Sequence, residues 1–147
     1  VNKTWSVALL IGMAVAGCGS SPVAEADPVA FTWDQAFALP GGREATAPGG
    51  DLLVRFTDVL EDSRCPTEVE CFWTGQARIA IQVQPAGREP TTTEFNTNPA
   101  PGQNVQTARV GEYTVSLRSL DPYPRVIDES ISLEDYTATL SVTKAAG

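Results

Sequence analysis

Residues 136–143 read Tyr-Thr-Ala-Thr-Leu-Ser-Val-Thr, and this strict alternation of apolar and hydroxyl side chains constrains the chain more than any other feature. A period of two is the repeat of a β-strand, whose successive side chains point to opposite faces. Leu140 and Val142 are therefore expected to be buried, and Thr139 and Ser141 exposed. The pattern recurs at 51–60 (Leu52, Val54 and Phe56 against Arg55 and Thr57), at 76–84 (Ala77, Ile79, Ile81 and Val83 against Arg78, Ala80 and Gln82) and at 112–120 (Tyr113, Val115 and Leu117 against Thr114, Ser116 and Arg118). Each run hides one face only, as antiparallel strands over a shared core do. No segment after residue 30 carries a helical period.

Weaker strand signals lie at 35–39, 43–47, 91–95 and 105–110, separated by turn formers at Pro40-Gly41-Gly42, Pro48-Gly49-Gly50, Ala86-Gly87, 96–102 and Asp121-Pro122. Seven or eight short strands between such turns predict an all-β chain. An immunoglobulin-like antiparallel β-sandwich is favoured over a small β-barrel, because the strong strands lack the glycine corners that closure of a small barrel uses. An apolar share of 42% is enough for a packed core, and a charged share of 19% is low for a disordered chain.

The amino terminus reads differently. Lys3 precedes an apolar run over residues 5–15, and small residues follow. This is the layout of a secretory signal, and the run is too short for a transmembrane helix of about 20 residues. Its end, Val15-Ala16-Gly17-Cys18, resembles the lipobox of bacterial lipoproteins, in which the cysteine is acylated and becomes the new amino terminus. The resemblance implies a signal peptide over 1–17, lipid attachment at Cys18 and a membrane-anchored, extracytoplasmic location, at the cell membrane or, in a diderm host, the outer membrane. Val1 in place of Met is what an alternative start codon would give. Residues 18–29, rich in Gly, Ser, Pro, Ala and acidic side chains, are expected to form a flexible tether to a single β domain over 30–147.

Charge narrows the partners. The chain carries −8 overall, and loss of Lys3 with the signal would make it −9. Such a domain lacks the basic face that nucleic acid requires and is not drawn to anionic lipid, so the anchor alone is expected to hold it at the membrane. There is no histidine, which removes Ser-His-Asp and Cys-His nucleophiles and imidazole zinc sites.

With Cys18 assigned to lipid, Cys65 and Cys71 are expected to pair in an oxidising compartment. Closing so short a ring removes roughly 2 to 2.5 kcal/mol of unfolded-state entropy in the chain-entropy model, so the bond is a modest staple. A redox role fits less well, because five residues separate these cysteines and redox pairs usually have two. Around the bridge, Asp62-Ser63-Arg64-Cys65-Pro66, Val69, Cys71, Trp73 and Gly75 resemble a signature of small secreted and lipid-anchored bacterial proteins of uncharacterised function. The likeness extends to a preceding strand and to Pro122-Tyr123-Pro124, over roughly residues 50–143. It implies fold and compartment but no activity.

Two readings of these residues compete, and the scaffold one is favoured. As scaffold, Asp62 and Ser63 bond local amides, Arg64 pairs with a nearby carboxylate, Trp73 covers the disulfide from a strand starting near Phe72, and Gly75 allows a close backbone approach. As a site, Asp62, Arg64 and Trp73 form a recognition surface on a stiffened loop. The carboxylates at 58, 61, 62, 68, 70, 128, 129, 134 and 135 match no EF-hand or other cation motif and read as solvated surface, with a weak cation-binding module as the minor alternative. No phosphate loop or Rossmann glycine pattern is present, so neither cofactor nor metal is expected. Nor does any carboxylate pair stand out for glycosidic cleavage. The expected function is non-catalytic: an envelope interaction module for a protein or glycan, or alternatively an inhibitor that presents the stapled loop to an extracytoplasmic hydrolase.

Overall fold

The computed structural model describes residues 17, 19, 26–103 and 106–146; residues 1–16, Cys18 and Val105 fall outside them. Nine strands are present among the described residues: β1 (Val29–Ala30), β2 (Ala36–Pro40), β3 (Glu44–Thr46), β4 (Leu52–Asp62), β5 (Ala77–Pro85), β6 (Thr91–Asn96), β7 (Thr107–Val110), β8 (Tyr113–Asp121) and β9 (Thr137–Lys144). They form two sheets, in the orders β1-β3-β4-β5-β6 and β2-β9-β8-β7. All neighbours are antiparallel except β1 and β3. The fold is an open β-sandwich and not a closed barrel, since the strands form two separate sheets. Each of the four strong runs and four weaker ones coincides with a strand. The ninth, β1, is only two residues long and carries no sequence signal of its own.

The two inner faces supply the core. Leu52, Val54, Phe56, Ile79, Ile81, Val83 and Phe95 from one sheet are fully buried with Leu39, Val115, Ala138, Leu140 and Val142 from the other. Aromatics close one end of the sandwich. Trp33 stacks on Tyr113 with ring centroids 5.6 Å apart, and Phe31 stacks on Phe37 at 4.5 Å.

Irregular pairing shapes the other end. In β4 the register with β5 shifts between Phe56 and Asp58 and again between Val59 and Glu61. The first shift turns Val59 inward opposite Ile79 and leaves Asp58 and Leu60 outside; the second restores the phase and places Asp62 opposite the buried Ala77. A third shift, between Leu117 and Ser119, brings Leu120 opposite Ala138 and buries it.

Two expectations need correction. Ser141 is buried, not exposed, because the Arg118 side chain lies over that face of the sheet and its Nε donates to Ser141 Oγ at 3.0 Å. Residues 72–76 are not a strand, since β5 begins only at Ala77. The positive φ of Gly75 (65°) interrupts the extended run.

Candidate functional site

The end of the sandwich reached by β4 and β8 carries the signature residues. Asp62 ends β4 on its inner face, and Arg64, two residues on, folds back over it. The guanidinium grips the carboxylate with two parallel bonds, Nε to Oδ1 at 2.8 Å and Nη2 to Oδ2 at 2.7 Å. Its remaining contacts reach the opposite sheet: Nη1 donates to the Leu120 carbonyl at 2.6 Å and Nη2 to the Pro122 carbonyl at 2.7 Å. The Tyr123 ring lies 4.2 Å from the guanidinium carbon. Arg64 is only 4% exposed. Burial alone would disfavour its charge, but the hydrogen bonds and charge of Asp62 outweigh that and raise its pKa above the ordinary value.

Tyr136, just before β9, completes the cluster by donating its hydroxyl to Asp62 Oδ2 at 2.9 Å. Burial, reinforced by the hydrogen bond to Asp62, pushes the phenol pKa up to about 12. One carboxylate thus holds a loop cation and a phenol from the opposite sheet. A buried ion pair of this kind adds little net stability over an apolar substitute, but loss of either member leaves a buried charge unpaired.

The disulfide loop is laid on this base. Cys65 and Cys71 are bonded, with Cα atoms 5.9 Å apart. Before the bridge, the Ser63 amide donates to the Gln76 carbonyl at 2.8 Å, which brings residues 63–65 alongside 74–76. The approach is so close that a Cβ on Gly75 would overlap the Ser63 carbonyl, so only glycine fits. Inside the bridge, the amides of Thr67 and Glu68 donate to the carbonyls of Pro124 and Arg125 at 2.9 and 3.0 Å. Pro66 and Pro124 are buried in that contact.

Above this base the surface is apolar. Phe72 is fully exposed, Trp73 is 51% exposed, and Val126 and Ile127 stand out of the facing loop. Between the two loops runs a cleft of about 260 Å³, walled by Pro66, Trp73, Pro124, Val126 and Ile127, with Asp62, Ser63, Arg64, Asp128 and Glu129 also lining it.

The residues singled out by sequence therefore separate. Asp62 and Arg64 face inward and bond each other. Trp73 does not cover the disulfide as a core side chain; it is half-exposed, because the segment carrying it is not a strand. Cys18 lies outside the described residues. The pattern marks Tyr136 only as an inward strand residue, and it does not single out Phe72, Val126 and Ile127. A signal for one of them was present, since adjacent Phe72 and Trp73 cannot both be buried by a one-faced element. Among the described residues no three His, Cys, Asp or Glu side chains converge as a metal site. No protein-family model matches the chain, and comparison with curated proteins and with solved structures found no match either.

Proposed function

We propose that this chain is a lipid-anchored protein of the bacterial cell envelope, held through Cys18, and that its sandwich is a non-catalytic interaction module binding through the disulfide-loop end. The observation that carries the reading is the division at that end. Asp62, Arg64 and Tyr136 face inward and bond one another, whereas Phe72, Trp73, Val126 and Ile127 face solvent on restrained loops. Aromatic side chains at the centre of an interface supply much of its binding energy, and a loop fixed in advance loses little entropy on binding. The lipobox-like Val15-Ala16-Gly17-Cys18 and the likeness to secreted and lipid-anchored proteins support the compartment, and the disulfide suits an oxidising one.

The loop lies along residues 124–125 through its own amides. That favours a flat interaction surface over an inhibitor's insertion into a hydrolase cleft. Capture from native envelope extract tests the reading. The wild type should retain a partner that the double variant Phe72→Ser, Trp73→Ser loses, with melting unchanged. Equal capture by both would overturn it.

A further inference from the structure

We propose that the cleft beside Trp73 receives a lysine or arginine side chain of a partner protein, an inference that rests on the loop end being an interaction surface. The size of the cleft sets the scale. About 260 Å³ is below the roughly 300 to 1,000 Å³ of pockets that enclose a drug-sized ligand, and matches one or two side chains.

Its chemistry sets the kind. The side walls are the apolar faces of Pro66, Trp73, Pro124, Val126 and Ile127, which suit an aliphatic stem, and the ring of Trp73 suits a cation passing over it. Arg64 also lines the cleft, but its charge is met by the two-point pairing with Asp62. The charges beside the cleft are unbalanced. Asp62 is engaged by Arg64 and Tyr136, and Glu129 by Arg125. Asp128 has no hydrogen-bonding or ionic partner among the described residues, and the exposed Glu68 and Glu70 lie in the adjoining loop. The site thus offers an apolar channel with free negative charge beside it, which complements a long side chain ending in a positive group.

A bilayer is the competing occupant. β1 runs antiparallel to β4, so the chain preceding Val29 approaches from the loop end, and a lipid anchor at Cys18 would draw that end toward a membrane. The free carboxylates oppose burial of this end among headgroups, and anionic lipid would repel it. They favour the cationic protein partner.

The test follows the Trp73 indole N–H by NMR in the full chain carrying Cys18→Ser, with the resonance assigned from Trp73→Phe. Three probes are titrated: the peptide acetyl-Leu-Lys-Leu-Lys-Leu-amide, its counterpart with Glu in place of each Lys, and phosphatidylcholine vesicles. The lysine peptide should shift the resonance saturably, and Asp128→Asn should weaken that binding about two- to fivefold, the range expected of an exposed charge pair. The other two probes should leave the resonance in place. An equal shift with the glutamate peptide, a shift with vesicles, no shift with the lysine peptide, or no effect of Asp128→Asn would each overturn the inference. The capture comparison of Phe72→Ser, Trp73→Ser judges the interaction surface separately. Partner loss there without a lysine-peptide shift would retire the cation and keep the surface.

Discussion

The Tyr136 hydroxyl donates to Asp62 Oδ2 at 2.9 Å, joining the start of the last strand in one sheet to the end of β4 in the other across 74 positions of sequence. The same oxygen accepts from Arg64 Nη2. These three side chains lock the sheets together at the end where the chain presents its exposed aromatic residues. The resulting account assigns opposite duties to neighbouring residues: Arg64 holds the fold, and Trp73 meets the partner.

Replacing Arg64 tests the first duty. Arg64→Ala leaves the Asp62 carboxylate buried without its cation and should cost about 3 to 5 kcal/mol in urea denaturation. Arg64→Lys should recover only part of this, because one ammonium cannot reproduce the two-point grip on Asp62 together with bonds to Leu120 and Pro122. Replacing Cys65 and Cys71 together by Ser should cost less, roughly 2 to 2.5 kcal/mol. The burial of Arg64 and its bonds to both sheets make it the larger support.

Gly75 offers a test of the close approach under the loop. Gly75→Ala should destabilise by more than about 3 kcal/mol, because its Cβ would meet the Ser63 backbone at a positive φ. Gly87 also has a positive φ but opens onto free space, so Gly87→Ala should cost only about 1 to 2 kcal/mol. Equal losses would mean that φ alone matters and that the packing against Ser63 does not.

Alkaline titration reads the Tyr136–Asp62 bond. The folded pKa of Tyr136 lies near 12, above the ordinary value of 10, so the folded state favours the neutral phenol. Its stabilising contribution is complete below pH 10 and is lost as pH rises from 10 through about 12, since the unfolded chain ionises first. The amount is on the order of 2 to 3 kcal/mol. Arg64 opposes this shift, and Asp62 and Glu129 support it. Wild type should be more stable than Tyr136→Phe at pH 7, and the gap should narrow between pH 10 and 12. Tyr113 is also raised by burial but is common to both proteins and cancels. A gap independent of pH would show that the phenol proton is not held at this site.

What the sequence made legible is the period-two pattern and its interruptions. Runs such as 76–84 and 136–143 placed their strands closely, because a one-faced sheet needs alternation and little else produces it. The site was less legible for reasons that reside in pairing. Whether residues 58–62 face in or out depends on two register shifts in β4, and a shift becomes visible only once the partner strand is known. Ser141 reads as surface until Arg118 is seen to cover it. Tyr136 reads as an ordinary inward residue of its strand, and only the meeting of the two sheets shows that its hydroxyl finds Asp62. Trp73 was recognised, but its environment was misjudged, since the break at Gly75 turns its segment out of the sheet.

The anchor is tested by labelling. Tritiated palmitate should enter the wild-type protein, while Cys18→Ala should abolish labelling and release a soluble protein. In a diderm host, Gly19 after the cysteine should direct the protein to the outer membrane, because it is not the aspartate that retains lipoproteins at the inner one. Labelling unchanged by Cys18→Ala would contradict lipidation there.

The central claim is that the protein meets its partner through the loop end of the sandwich. Photo-crosslinking in intact cells tests it most directly, with benzoylphenylalanine in place of Phe72 in one full-length variant and in place of Arg88 in another. Both positions are exposed, and Arg88 lies at the opposite end with Asp51, Glu112 and Lys144. The account predicts a discrete protein adduct from position 72 and none from position 88. An adduct from position 88 alone, or the same adduct from both positions, would contradict it.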